Sequence, residues 1–296
     1  MISAEAAFIA RLRAAATHPG ARGLMDDAAI LGDLVLTHDM IVEGVHFLPG
    51  DPPATVAHKL VATNLSDLAA KGAEPVGALL GYTLSDSGWD AAFADGLTTA
   101  LARYRVPLLG GDTVSAPTRC FGLTAIGRAP AGGAPDRRGG QAGDLLFVSG
   151  TIGDAGLGLQ IARGEMDGPP ALLARYRTPE PRLALGSALA PHVSAMCDVS
   201  DGLLIDAARI AEASGLAVTI DLDRVPLSAD ARKLGLDPLD AATAGDDYEL
   251  LFAAPAPPAG ITGIACIGRL APGTGLTLLR HGQPVPLPAS LGHQHD

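Results

Sequence analysis

Five aspartates, Asp27, Asp39, Asp67, Asp112 and Asp198, are spaced so that each is expected where a strand or helix ends. Side chains at such ends can leave their element and meet over a common rim. Carboxylates gathered there repel one another and resist ionisation unless a cation joins them. The ligand set is oxygen only, with no His/Cys pattern among the acids, which points to Mg²⁺ rather than zinc. Magnesium held by a few carboxylates and completed by substrate phosphates is the arrangement of phosphoryl transfer, where the metal offsets the charge that repels the nucleophile. No GxxxxGKS/T occurs in the chain, and no glycine fingerprint follows a strand in dinucleotide-binding form, so phosphates are not expected on a P-loop.

Each acid also has a local explanation. Asp67 falls near the negative end of a helix, at a cost of about 0.3 to 1 kcal/mol against the macrodipole. Lys71, four residues on in the favourable acid-before-base order, is its ordinary partner, and a metal shared with Asn64 on the same face is the other. Asp26-Asp27 and Gly110-Gly111-Asp112 both make ordinary turns, although two glycines also let backbone approach a ligand closely. Asp201 or Ser200 suits the N-cap of the helix that follows, whereas Asp198 is not needed for capping. Asp39 ends an apolar strand with no adjoining Gly or Pro. His46, in a Gly-containing loop, is by itself most often a solvated histidine.

The elements that must position these groups follow from periodicity. A helix is expected over 3–16 with Ser3 as cap, then a hairpin of strands near 23–30 and 34–39. Pro53 at a first helical position, apolar Val56, Leu60 and Leu68, and Gly72 as stop define a helix over 53–70. A buried strand over 76–83, a helix over 88–104 with Phe93, Leu97, Leu101 and Tyr104 on one face, a short strand at 107–109 and a strand over 119–128 complete the first half. Residues 129–143 hold five glycines and two prolines around Arg137-Arg138, the clearest composition shift in the chain, and mark the boundary between domains 1–138 and 139–296. In the second half, strands are expected over 144–150, 193–199, 217–222, 250–253, 263–270 and 276–280, with helices over 154–164, 203–214 and 234–244. Asp246, Asp247, Tyr248 and Glu249 directly precede an apolar strand, and a proline-rich tail from Gln283 is expected to drape over the surface.

At 296 residues two domains are the default, and 48% hydrophobic residues are enough for a real core. The net charge of -11 argues against a nucleic-acid partner, while leaving room for anionic substrates if metal ions are interposed. Cys120, Cys197 and Cys266 are scattered without CxxC spacing, so neither a disulfide framework nor a zinc site is suggested. Glu5, Arg11 and Arg13 at the start are unlike a signal peptide, and no uncharged apolar run reaches 18 residues, so a cytoplasmic protein with no membrane partner is expected.

Taken in order, Asp26-Asp27-Ala-Ala, Asp39, Gly44-Val-His46-Phe47, Asn64-Leu-Ser-Asp67-Leu-Ala, Gly110-Gly111-Asp112-Thr113, Asp198-Val-Ser200-Asp201-Gly202-Leu and Gly245-Asp246-Asp247-Tyr248-Glu249-Leu resemble the thiamine-monophosphate kinase family, a branch of the ATP-binding superfamily that includes aminoimidazole-ribonucleotide synthetase. The resemblance implies an α+β fold, a two-domain α/β sandwich with an N-terminal mixed sheet and a C-terminal α/β domain, paired as a homodimer through the first domains. It implies transfer of the γ-phosphoryl of ATP to thiamine monophosphate by direct in-line attack, with Asp67, Asp112 and Asp198 central to catalysis. By the same resemblance Asp27, Thr37, His38, Asp39, Asp67, Asp112, Asp198 and Asp201 fall at magnesium positions. Gly111, Asp112, Arg137 and Ser200 fall at nucleotide contacts, and His46, Asp246 and His293 at thiamine contacts. The chain departs from the family pattern at Met25 for Gly, at His38 within a Ser/Thr-Thr-Asp motif, at Asp246 where some members have Glu, at Lys71 where Met is frequent, and at His293 for a C-terminal aromatic.

The acceptor in such a reaction is itself an ionised phosphate, so no strong general base is required, and catalysis rests on charge neutralisation and alignment. Two other readings remain: a sibling of the superfamily, whose reactive N-terminal or C-terminal Cys this chain lacks, and a catalytically silent nucleotide or thiamine-phosphate binding protein.

Overall fold

The computed structural model describes residues 4–294, so Ser3 as a helix cap and the last tail residues, His295 and Asp296, lie outside it. α1 (Ala4–Leu12) is shorter than expected and buries none of its residues. The hairpin forms from β1 (Ala29–Leu31) and β2 (Leu34–Val42), with Ile30 opposite Val35. β2 continues three residues past Asp39, so this acid lies within a strand and not at its end. α2 (Pro53–Ala70) has the bounds read from the sequence, and every residue from Val56 to Ala70 is buried, polar ones included.

β3 (Glu74–Leu84), α3 (Ser87–Tyr104), β4 (Leu108–Ser115) and β5 (Cys120–Arg128) complete the first half. The sheet order is β1-β2-β5-β3-β4, antiparallel except for β3 and β4, which α3 joins in parallel as a crossover. Val35, Ile41, Leu60, Phe93 and Phe121 share the core on the helical face. The other face is open. Met40, Leu79, Leu84, Leu108, Leu109 and Val114 are exposed, so β3 is half-buried instead of buried. Gly110-Gly111-Asp112 makes neither a turn nor a loop: β4 runs straight through it, and a Cβ at Gly111 would stand 1.9 Å from the Leu80 carbonyl oxygen of β3.

The second half contains β6 (Leu145–Ser149), α4 (Asp154–Ala162), α5 (Pro170–Arg177), α6 (Leu183–Leu189), β7 (Ala195–Asp198), α7 (Leu203–Ala213), β8 (Ala217–Asp221), α8 (Ala229–Lys233), α9 (Pro238–Thr243), β9 (Leu250–Ala254), β10 (Ile264–Ala271), β11 (Gly275–Arg280) and β12 (Gln283–Val285). These strands form one mixed sheet, β12-β11-β8-β10-β6-β9-β7. Two expectations fail here. The single helix over 234–244 is interrupted, because Asp237 caps a new helix by accepting from the Leu239 N–H and Pro238 takes its first position. The tail is not merely draped: β12 pairs with β11, and the His293 N–H donates to the Asp201 carbonyl at 2.8 Å.

The α+β fold thus consists of two mixed sheets with α2 between them. α6 meets α2 so closely that a Cβ at Gly186 would lie 1.9 Å from the Ala69 carbonyl oxygen. That close approach, with β7 also packed on α2, brings the ends of elements from both halves to one place. No helix among the described residues is long and apolar enough to cross a membrane.

Candidate active site at the acid cluster

Asp27 leads into β1, Asp67 lies in the last turn of α2 and Asp198 ends β7. Their carboxylates offer oxygens that all lie within 4.8 Å of one another. Neighbouring hydroxyls orient two of them. Thr37, on the inward face of β2, donates to Asp67 Oδ2, and Ser66 donates to Asp198 Oδ2 at 2.5 Å. Asn64 is not a ligand of the cluster but a brace, accepting from the Asp39 N–H at 3.0 Å and donating to the Leu60 carbonyl at 2.9 Å.

Burial, then the charges of Asp39, Asp198 and Asp27, push the Asp67 carboxyl well above the usual carboxylate range. Burial and Asp27 do the same to Asp198, and burial with Asp27 and Asp201 pushes Asp39 up to about 6. Asp27 is the exception: burial would raise it, but Arg137 and Lys71 hold it below its ordinary value. Three crowded carboxyls that resist ionisation, offering only oxygen, fit a hard divalent cation.

Several expected roles are corrected by this geometry. Lys71 does not pair with Asp67; its Nζ lies 2.5 Å from Asp26 Oδ1 and 2.7 Å from Asp27 Oδ2. Arg137 pairs with Asp27 through Nη2. The His38 ring turns to the open face of the sheet, with Nδ1 2.9 Å from Thr124 Oγ1, so only its backbone adjoins Thr37 and Asp39. Asp112 and Gly111 lie on exposed β4, three strands from β2, outside the cluster of this chain. Asp201 pairs with Arg209 at 2.5 Å.

Two functional residues were missed. The α7 N-cap is Gly202, without a side-chain bond, and neither Ser200 nor Asp201 caps the helix. Asp206, fully buried one turn on, instead accepts the N–H groups of Ser200, Asp201 and Gly202 at 3.2, 3.2 and 3.3 Å through one oxygen. An acid in the first turn after Gly202 was the available signal. Lys59, on α2 and 2% exposed, donates to the His46 carbonyl at 2.9 Å and to Asp246 Oδ2 at 2.7 Å, with its Nζ 4.2 Å from the centre of the Tyr176 ring. Tyr248 donates to the other Asp246 oxygen at 3.0 Å. Lys59 therefore ties the His46 loop to the Asp246 loop of the other domain.

Two cavities open beside the cluster. One, of about 730 Å³, is lined by His46, Thr63, Asp246, Tyr248 and His293. The other, of about 680 Å³, is lined by Asp27, Asp67, Arg137, Asp198, Ile205 and Arg209. Asp39, Ser200 and Asp201 line both, so the cavities meet at the rim of the acid cluster.

Residues 25–129 match the family model for the N-terminal domain of AIR synthase related proteins, and residues 141–265 match that for the C-terminal domain. The thiamine-monophosphate kinase of Caulobacter vibrioides is 44% identical over 306 residues, covering 94% of this chain and 86% of that protein. The structure of thiamine monophosphate kinase from Aquifex aeolicus superposes with a TM-score of 0.84 at 28% identity, covering 96% of this chain and 98% of that one. A structure of AaThiL complexed with AMPPCP and TMP gives a TM-score of 0.85 at 28% identity, covering 97% and 96%. With both domain models matched in order and a relative of this identity aligned over nearly its whole length, the chain belongs to the thiamine-monophosphate kinase family of AIR synthase-related proteins.

Proposed function

We propose that this chain is an ATP-dependent kinase converting thiamine monophosphate to thiamine diphosphate by direct, magnesium-assisted, in-line transfer. The observation that carries this is the pair of cavities meeting at Asp39, Ser200 and Asp201 beside the clustered acids. A donor and an acceptor seated one in each would have their phosphates converge at that seam. The larger cavity, with His46, Asp246 and His293, suits thiamine monophosphate. The other, with Arg137, Ser200 and apolar Ile205, suits ATP. The solved complex of a relative with AMPPCP and TMP supports two such ligands on this fold.

Asp27, Asp39, Asp67 and Asp198, with Thr37 and the His38 backbone, are the groups in this chain that would hold Mg²⁺. Bound there, the metal supplies charge neutralisation at the transferring phosphoryl group. The protein's own part is positioning. Thr37 and Ser66 orient the Asp67 and Asp198 carboxylates, and Asp206 holds the Ser200–Gly202 backbone at the seam. The accepting phosphate is already ionised, so no side chain need remove a proton and no covalent enzyme intermediate is needed.

Homodimer formation is supported by the open apolar face of the first sheet and by β4, a long edge strand exposed along its length. β4 lies three strands from β2, roughly 14 Å at the usual strand spacing. Asp112 and Gly111 would then serve the site of the second copy, not their own. We place the domain boundary at residues 138/139, in the 3-10 turn Arg137–Gly139 between the two matched domains, and the protein in the cytoplasm, in keeping with three unpaired cysteines.

The test is ADP formation by the purified chain with Mg²⁺ and ATP. Thiamine monophosphate should be consumed with equal formation of thiamine diphosphate, while thiamine and unrelated phosphate monoesters leave ATP intact. No ADP with thiamine monophosphate would leave only the binding-protein reading.

A further inference from the structure

Lys71 follows the last residue of α2, and its side chain is fully buried. Its Nζ lies 2.5 Å from Asp26 Oδ1, 2.7 Å from Asp27 Oδ2 and 3.0 Å from the Met196 carbonyl oxygen of β7. Asp26 Oδ1 and the Met196 carbonyl accept hydrogen bonds from it, whereas Asp27 Oδ2 is an ion-pair contact only, a buried oxygen with no hydrogen-bond donor among the described residues. The remaining oxygen of Asp26 meets Arg22, and that of Asp27 meets Arg137. The Asp26-Asp27 pair is thus served by three cations of the chain itself. Among the described residues no Lys or Arg pairs with Asp39, Asp67 or Asp198, whose side-chain donors are Thr37 for Asp67 and Ser66 for Asp198.

The acid cluster is therefore divided into a compensated side and an uncompensated side. The two carboxylates at 26 and 27 face three positive charges, of which Arg22 is shared with Asp136, and the three at 39, 67 and 198 face none. Burial would drive the Lys71 ammonium to lose its proton, but Asp27 and Asp26 keep it charged.

We propose that Lys71 is a resident cation of the phosphoryl-transfer site, supplying at Asp27 charge compensation that a divalent ion would otherwise supply, and so weakening the hold of this chain on free Mg²⁺. The proposal rests on the acid cluster being a magnesium site. Its consequence is that Asp27 serves as a braced, neutralised wall of the site, while Asp67, Asp198 and Asp39 carry most of the demand for metal. A second positive charge within ion-pair distance of a ligand lowers divalent affinity by about tenfold or more at an effective dielectric near 20.

The experiment is Mn²⁺ binding to the full chain without nucleotide, by the loss of free-ion electron paramagnetic resonance signal, with Mg²⁺ competition. Lys71→Met keeps an unbranched chain of similar volume and removes the charge. It should bind Mn²⁺ about tenfold more tightly than the parent. Asp26→Asn removes one of the two anions that Lys71 faces, leaves more of its charge on Asp27, and should loosen Mn²⁺. Both substitutions break the same buried ion pair and both lower stability, so opposite shifts in affinity are what a purely structural role does not give. Unchanged or weaker affinity in Lys71→Met, or a shift of both variants in one direction, overturns the proposal. Should Lys71→Met fail to fold by circular dichroism, Asp26→Asn decides alone, and unchanged or tighter binding there overturns it. A parent chain that binds no Mn²⁺ at millimolar concentration instead removes the magnesium reading of the cluster, a failure distinct from that of Lys71.

Discussion

Ser66 on α2 donates its hydroxyl to Asp198 Oδ2 at 2.5 Å, a bond between residues 132 apart that joins the two domains at the acid cluster. The donation favours the charged form of a carboxyl that burial and Asp27 otherwise hold far above its ordinary range. Ser66→Ala should therefore weaken Mg²⁺ binding several-fold and destabilise the chain by about 1.5 to 3 kcal/mol, the range for a hydrogen bond to a charged group. Urea unfolding and Mn²⁺ binding measure the two effects; unchanged metal affinity would reduce Ser66 to a packing residue.

Asp67→Asn should separate stability from function. Asp67 is crowded by Asp39, Asp198 and Asp27, so losing its charge relieves repulsion in the metal-free chain. The melting temperature in EDTA should hold or rise, while the increase produced by Mg²⁺ disappears and kinase activity falls about 100-fold or more. Retention of near-full activity at saturating Mg²⁺ would falsify the central role given to this residue.

Away from the metal, His58 carries a pH dependence of its own. It is buried on α2 with Nε2 2.9 Å from the Pro179 carbonyl oxygen, across the domain contact. Burial lowers its folded pKa, with Pro179 and Glu180 opposing and Arg103 adding to the fall. Below about 6.5 the unfolded chain takes up a proton that the folded chain refuses, so this contribution to stability is present above that value and lost as pH falls through the folded pKa. Urea midpoints between pH 7.5 and 5 should fall less steeply in His58→Gln than in the parent. Parallel slopes for the two chains would leave His58 without a part in acid sensitivity.

How far the site was legible in sequence depended on whether each interaction is local. α2 was readable to the residue because Pro53, its apolar spacing and Gly72 all act within one helix. Asp27, Asp67 and Asp198 could be grouped because each lies at or beside the end of its element. The pairing of Lys71 with Asp67, one of the two partners open in sequence, fails because the i,i+4 rule is local, whereas a partner of Lys71, Asp26, lies 45 residues earlier. Gly110-Gly111-Asp112 resembled a turn because extended pairing with β3 is a tertiary fact that no neighbouring residue announces. Lys59 drew no notice, since nothing near it in sequence signals His46 or Asp246. Asp237-Pro238, by contrast, was a visible cap and helix start, overlooked in favour of one continuous helix.

Lys59 should act on substrate binding more than on the chemical step. It holds the His46 loop and the Asp246 carboxylate, which Tyr248 grips from the other side. Lys59→Met frees both walls of the 730 Å³ cavity and leaves the acid cluster untouched. KM for thiamine monophosphate should rise about 10- to 100-fold with kcat changed much less, as loss of a positioning contact implies. Lys59→Arg should recover part of it. An equal fall in kcat with KM unaltered would count against this role.

The last prediction concerns Asp112, which lies in this chain on an edge strand far from the acids it would join. If pairing of two chains supplies it, each site draws Asp67 from one copy and Asp112 from the other. Asp67→Asn and Asp112→Asn homodimers should then both be nearly inactive. In a mixed dimer one site would carry both substitutions and the other neither. After random exchange half of the dimers are mixed, each with one intact site of two, so activity should return to about one quarter of the parent value. Leu109→Asp, which places a charge on the exposed apolar face, should yield a folded monomer that lacks activity. Mixing the two inactive variants, with exchange confirmed by differently tagged chains, distinguishes the arrangements: no recovery of activity would place Asp112 and Asp67 on the same copy of the site or remove Asp112 from the chemistry.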